Sequence, residues 1–418
     1  MGQRAGASAG DRGPAIIDLA DPAYWQDPHA VLRAARERGD VAWTATGDTI
    51  VLRYHEVDRL ARDPRVISNA VPMLEQVGVV SGPLHAWWSR MLTNRNGVFH
   101  DDLRRLVSRA FTPRSIEALR PRIRQRVRAM LLAGAERGEL DVVRDLADPL
   151  PIWMMCDLLG IEEADHATYA AWSTDLGDAL ASVMTPERRG RAERALVGFD
   201  ERIRATFAER RRQPREDLIS RLLAEAKQAG PEFDDTELVT LVINLIFGGH
   251  DTSRSVLTSA LALLSAHPGE LEKLRRSVDG GEAAETSAVA AAAEEVLRVE
   301  PPVAVLGREP TETIESRGTM LEAGKMFFLS TLAANRDPEV FEDPDRFDIG
   351  RESKRSFSFG WGSHFCLGAA LARAEVQETL RGLVGDTKRI ERIGPAPKQV
   401  PFVSIRRLET FSVRVEAR

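Results

Sequence analysis

One decapeptide constrains this chain more than any other stretch. It is Phe359-Gly360-Trp361-Gly362-Ser363-His364-Phe365-Cys366-Leu367-Gly368, where glycines, a histidine and a cysteine meet as a loop runs into a helix. The next residues, Ala369-Ala370-Leu371-Ala372-Arg373-Ala374-Glu375, are strongly helix-forming. Cys366 therefore belongs at a helix N-terminus, where unpaired N–H groups and the positive dipole end favour a thiolate over a thiol. Gly360 and Gly362 reach backbone angles closed to other residues, so the loop can fold tightly under a flat ligand. Gly368 leaves space beside the helix start. An isolated cysteine on an apolar helix is more often a small core residue. This loop instead suits a buried thiolate serving as the axial ligand beneath a planar metal cofactor.

A long helix is the second signal. Asp234 followed by Glu237 resembles a capping box with Asp in place of Ser or Thr, and Pro268 stops the pattern. About 32 residues at ~1.5 Å each give a rod long enough to cross the molecule. Leu238, Leu241, Val242, Leu245, Gly248, Gly249, Thr252, Val256 and Leu263 share its broad apolar face. Gly248-Gly249-His250-Asp251-Thr252-Ser253 interrupts that face. A glycine pair can mean close helix packing, or an opening beside a ligand. Thr252 lies i+4 from Gly248 and i+3 from Gly249, so its hydroxyl points toward the gap they leave.

Composition narrows the class. The chain has 418 residues and a net charge of −6, which argues against bulk nucleic-acid affinity. No run of apolar residues is long enough to span a membrane and no signal peptide is legible, so a cytoplasmic protein with no membrane partner is expected. Cys156 lies in an apolar helical run, and the two cysteines do not suggest a disulfide framework. Residues 1–14 are expected to be disordered and 15–418 to form a single domain. From about 100 to 300 the pattern is helical. Strands are expected at 41–44 and 49–52, around a Gly47-Asp48 turn, and again near 325–330 and 411–415. Between Leu103 and Arg128 stand nine arginines and one acid, Glu117. That run reads either as a solvated helix face or as a docking surface for an acidic partner.

The cysteine loop resembles the haem-binding loop of the cytochrome P-450 family, Phe-x-x-Gly-x-(Arg or His)-x-Cys-x-Gly. Phe359, Gly362, His364, Cys366 and Gly368 match it at every defined position. Gly248, Gly249, Asp251 and Thr252 fit that family's oxygen-binding motif, (Ala/Gly)-Gly-x-(Asp/Glu)-Thr. Glu295-Val296-Leu297-Arg298 and Pro344-Asp345-Arg346-Phe347 resemble its Glu-x-x-Arg and Pro-x-Arg-Phe segments. The resemblance covers roughly residues 20–418. It implies a mostly α fold, a large helical portion with a small β-rich portion around a buried haem. It implies that Glu295, Arg298 and Arg346 form a buried ion network, and that His100, Arg104, Arg308 and His364 hold the propionates of haem b. With Gly248, Gly249, Phe359, Gly360, Cys366 and Gly368, these make the cofactor site. Upstream of His100, Thr93-Asn94-Arg95-Asn96-Gly97 replaces the acidic-proline run of many members, which puts the shape of that loop in question.

A bacterial-type haem-thiolate monooxygenase is what the resemblance implies. Cys366 would hold the iron, Thr252 would hydrogen-bond dioxygen, and Asp251 would relay protons. Electrons would come from NAD(P)H through a separate ferredoxin and its reductase, since no dinucleotide-binding loop or iron–sulfur cysteine set is present. A peroxide-using haem-thiolate enzyme and a gas-sensing or gas-carrying haem protein are the competing readings; the Asp251-Thr252 pair argues against both. The substrate is expected to be a small, apolar or natural-product molecule, met by residues 71–96, 165–183, 303–306, Leu245 and the segment near Leu408. A monomer acting in secondary metabolism is expected.

Overall fold

The structure, a computed structural model, describes residues 14–19, 21–180, 184–230, 233–352, 354–400 and 405–418. The expectation for residues 1–14 therefore lies almost wholly outside the described residues, as does the 181–183 part of the expected pocket wall.

The long helix forms as its ends dictate. The Asp234 carboxylate accepts the backbone N–H groups of Thr236 and Glu237 at 2.8 and 2.9 Å. The helix runs Asp235–Ala266, 32 residues, and stops where the His267 N–H returns to the Leu263 carbonyl before Pro268. The capping box is only half made, because Glu237 turns instead to Arg95 at 3.1 Å. The helices that position the site are α1 (Pro83–Arg90), α2 (Gly97–Ala110), α3 (Arg120–Arg137), α4 (Pro149–Leu159), α5 (His166–Asp178), α6 (Pro186–Arg212), α7 (this long helix), α8 (Glu282–Val299) and α9 (Ala369–Asp386). α4, α5, α6, α8 and α9 all pack on α7. Their apolar faces merge in one large core that includes Cys156, whose thiol burial pushes far above its ordinary range.

The β portion draws on both halves of the chain. Strands β1 (Ala15–Ile17), β2 (Val41–Thr44), β3 (Thr49–Val51), β4 (Val66–Ser68), β5 (Val305–Pro310) and β6 (Phe327–Ser330) form one sheet in the order β1-β2-β3-β6-β5-β4. The expected hairpin is β2-β3, antiparallel, turning at Gly47 with φ 90°. The expected C-terminal strand is found at Ser412–Ala417.

The ion network differs from expectation in one member. Glu295 and Arg298 are buried and doubly bonded, at 2.7 and 2.8 Å. Arg298 also donates to the carbonyls of Asn335 (2.9 Å), Pro344 (2.8 Å) and Arg346 (3.1 Å). Arg346 thus contributes its backbone; its side chain is 59% exposed and faces Asp348 at 3.4 Å. The remaining capacity of Glu295 is filled by the Asp348 N–H at 3.0 Å and by Arg351 Nε at 3.2 Å, which leaves no acceptor for a third guanidinium. The next turn of α8 anchors the approach to the cysteine loop, because Ser358 Oγ donates to the Leu297 carbonyl at 2.6 Å.

The arginine run fits neither of its two readings well. Arg120 and Arg124 reach the fully buried Glu378 of α9, Arg122 and Arg126 reach Asp157, and Arg128 reaches Asp386. Arg105 pairs with Asp102 and Arg109 with Glu225, while Arg104 donates to the Phe365 carbonyl. Most of these cations clamp α3 onto its neighbours.

Removing one partner of a buried pair strands the other charge, at a cost of about 3–5 kcal/mol. Glu295→Ala is expected to yield little folded protein, against a typical stability of about 5–15 kcal/mol. Arg346→Ala should stay within about 0.5 kcal/mol of wild type, because it leaves the carbonyl in place. Denaturant midpoints of the two variants check this, and equal losses would contradict the reassignment of Arg346.

Candidate active site

The cysteine loop is tightly tied. The Gly360 N–H bonds to Phe357 O at 2.9 Å, the Phe365 N–H to Gly362 O at 3.1 Å, and the Cys366 N–H to Phe359 O at 2.9 Å. Gly360 and Gly362 sit at φ 66° and 64°, as the tight fold of the loop requires. Gly368 is the N-cap of α9, and a Cβ there would meet only Cys366 Sγ, at 3.9 Å. The Phe359 ring lies under the Arg373 guanidinium at 4.4 Å.

Cys366 opens onto an internal cleft, so it has accessible surface although protein surrounds it. Burial pushes its thiol upward, opposed by the N–H groups of Gly368 and Ala369 and by Arg104 and Arg373. The helix end alone does not ionise it, contrary to the sequence-based expectation, because desolvation outweighs the dipole. A metal cation bonded to the sulfur would take off the proton outright.

α7 divides the roles of its two glycines. Gly248 is exposed within the molecule and a Cβ on it would touch nothing within 4 Å. Gly249 is a packing glycine: a Cβ there would strike Met155 Sδ of α4 at 2.8 Å. Thr252, partly exposed, donates to the Gly248 carbonyl at 2.6 Å. Asp251 has no accessible surface. It is fully buried, and Gly177 of α5 covers it so closely that a Cβ there would lie 2.7 Å from Oδ2. Arg407 Nε stands 3.5 Å from Asp251 Oδ1, and Arg407 Nη1 lies 3.3 Å from Asp178, which is 32% exposed. Arg407 thus links Asp251 to the partly exposed Asp178.

The four expected propionate ligands converge. The rings of His100 and His364 lie 4.3 Å apart, and His100 Nε2 is buried with no partner. Arg308 is buried, bonded to Ser68 Oγ at 3.1 Å and its neighbour's carbonyl at 2.8 Å, with no carboxylate beside it. Burial lowers its guanidinium to about 10. His364 is pushed down to about 3 by burial and by Arg308, His100 and Arg104. A buried cation and an orphaned ring nitrogen call for anionic acceptors, which the propionates of haem would supply. With an accessible Cys366 and a bare Gly248 on the unbroken α7, the residues fit the group. The departed segment holds its shape by other means. Asn94 and Asn96 strap the loop to the backbone of Ala70, Trp88 and Ser68, and Asn96 Oδ1 lies 3.4 Å from His364 Nε2.

The comparisons with known proteins agree. A family model described as Cytochrome P450 matches residues 182–384. Luteothin monooxygenase of Streptomyces thioluteus is 33% identical over 371 residues, covering 88% of this chain and 88% of that protein. The chain belongs to the cytochrome P450 family. 6-Deoxyerythronolide B hydroxylase of Saccharopolyspora erythraea is 33% identical, covering 86% of this chain and 88% of that P450. The solved structure of cytochrome P450 CYP109Q5 from Chondromyces apiculatus has a TM-score of 0.86 at 28% identity, over 97% of this chain and all of that one. The protein is thus a bacterial-type P450 monooxygenase, a family that carries haem and whose relatives include one named for polyketide biosynthesis in Bacillus subtilis. Among the described residues no helix is long and apolar enough to cross a membrane.

Sequence motifs did not reveal Glu375, a turn and a half into α9. It is fully buried and neither carboxylate oxygen completes a hydrogen bond, though Ser253 of α7 faces it. Burial raises it to about 8. The folded P450 therefore holds this proton between the ordinary carboxylate range and about pH 8, where the unfolded chain has lost it. Its contribution to stability is full in acid and falls as pH rises through that window, by on the order of 1.4 kcal/mol for each tenfold difference in proton affinity. Glu375→Gln should gain in thermal midpoint over wild type as pH goes from about 5 to 8 and level off above. Parallel melting profiles would rule out a neutral Glu375.

Proposed function

We propose that this P450 inserts one oxygen atom of dioxygen into a small natural-product substrate, with electrons from NAD(P)H through a separate ferredoxin and reductase. The observation that carries the reading is an accessible Cys366 at the start of α9, a helix packed on α7, which bears Thr252 and Asp251. The named relatives, a hydroxylase and a monooxygenase among them, support the reaction class. The haem, when bound, supplies oxygen activation, with a thiolate ligand favouring O–O cleavage.

The chain's residues do the rest. His100, Arg104, Arg308 and His364 orient the cofactor by its carboxylates. The Thr252 hydroxyl, held by the Gly248 carbonyl, has one donor and two lone pairs and can pass a proton across the gap. Asp251 stands next to it but faces away, as adjacent helical residues diverge by about 100°. It takes protons from the Arg407–Asp178 side and not from water directly. This leaves the cleft side of α7 dry while a titratable group stands behind it. Residues 15–418 act as one unit in this reading.

Two sets of variants test it. The reduced, carbon-monoxide-bound protein should show the red-shifted Soret band of haem-thiolate proteins. Cys366→His should abolish it and Cys156→Ser should keep it; retention in Cys366→His would sink the assignment.

With a turnover substrate, Thr252→Ala should bind haem normally but consume NAD(P)H with more peroxide and less product. Asp251→Asn should slow the whole cycle, because the buried group no longer ionises. Full coupling and normal turnover in both would remove Thr252 and Asp251 from the mechanism.

A further inference from the structure

Two polar groups near the cleft remain unexplained by haem binding or proton delivery. Asn244 of α7 is 9% exposed, and both its amide nitrogen and its amide oxygen lack any hydrogen-bond partner. Trp87 of α1 is 5% exposed, and its indole N–H has no partner either. Their neighbours behave differently. The Trp88 indole donates to the Ala70 carbonyl at 2.9 Å, and on α7 the hydroxyls of Thr252 and Thr258 return to backbone carbonyls at 2.6 and 2.7 Å.

The helix places both groups beside the open stretch. Asn244 is one turn before Gly248, and between them Leu245 is the residue with accessible surface. The Trp87 ring meets Phe247 edge-on, with centroids 5.6 Å apart, and Phe247 is i+3 from Asn244. Asn244 thus shares the α7 face of Gly248 and Thr252, and Trp87 packs on the turn beside it. The three acids on this helix each have a guanidinium beside them: Asp235 meets Arg211, Glu237 meets Arg95 at 3.1 Å and Asp251 meets Arg407 at 3.5 Å.

We propose that Asn244 and Trp87 form a neutral polar anchor that selects substrates bearing a hydroxyl, carbonyl or amide group, in preference to hydrocarbons, carboxylates or amines. Asn244 offers a donor and an acceptor, and Trp87 a second donor. In an apolar cleft, a few such groups set orientation and specificity. A charged substrate group would have to displace an existing ion pair to find its counter-charge. A buried polar group left unpaired is costly, so a ligand that pairs it is favoured over one that only fills the space. The inference names a substrate class for the monooxygenase site and rests on that reading.

The test uses ferric holoprotein and the spin-state change caused by three twelve-carbon rings: cyclododecanol, cyclododecanone and cyclododecane. Asn244→Leu keeps the side chain's volume and should weaken the alcohol by roughly tenfold, the worth of a hydrogen bond in such a site. It should leave the hydrocarbon unchanged or tighter. Trp87→Phe keeps the ring contact with Phe247 and should weaken alcohol and ketone but not hydrocarbon. The ligand-free thermal midpoint of Asn244→Leu should equal or exceed that of wild type, since an unpaired amide has been removed from the interior. The proposal is overturned by equal changes for all three rings, by no spectral response to any ring in wild type, or by a fall of the Asn244→Leu midpoint. The carbon monoxide band, recorded on each variant, separates this outcome from failure of the haem-thiolate reading, which would remove the band from wild type itself.

Discussion

The bond pair between Arg298 and Glu295 is the constraint on which the cysteine loop depends. A guanidinium fixed by a carboxylate at 2.7 and 2.8 Å has its remaining N–H groups aimed in set directions. Those groups gather the carbonyls of Asn335, Pro344 and Arg346, three points on a segment with little regular structure. The Asn335 side chain then takes the Phe357 N–H at 2.7 Å, and Ser358 closes on Leu297. Cys366 follows within ten residues. The cysteine loop, closed by its own backbone bonds, is thus joined to the helical core through this buried ion pair.

The second dependence is electrostatic. His100, Arg104, Arg308 and His364 crowd one region with no acid opposed to Arg308. Desolvation lowers the proton affinities of both Arg308 and His364, and the neighbouring cations lower His364 further. Such a cluster is a poor way to stabilise a protein by itself. It becomes favourable once two carboxylates enter, so cofactor binding and folding of this region reinforce one another.

Much of this was legible in the sequence. The cysteine loop, the Gly248–Thr252 interruption and the Glu295–Arg298 pair are local patterns, and local spacing survives folding. So were the ends of α7, because Asp234 and Pro268 act within a turn of themselves. What escaped were relations between distant segments. Arg346 carries the right motif but turns outward, since Arg351, five residues later, already occupies Glu295. The arginines of α3 looked like a free basic surface until Asp157, Glu378 and Asp386 came to meet them from α4 and α9. No motif marks Glu375; it is the packing of α9 on α7 that buries it and raises its proton affinity. Gly248 and Gly249 are indistinguishable as letters, and Met155 separates their roles.

Asp251 shows most clearly why burial and function are joined here. A carboxylate open to water beside the cleft would deliver protons readily, but it would admit solvent to the same space. Gly177 of α5 covers it, and among the described residues Arg407 is the guanidinium at ion-pair distance. Arg407 comes from the C-terminal segment and also meets Asp178, at the end of α5. Three parts of the chain therefore meet at Asp251: α7 itself, α5 through Gly177, and the C-terminal segment through Arg407.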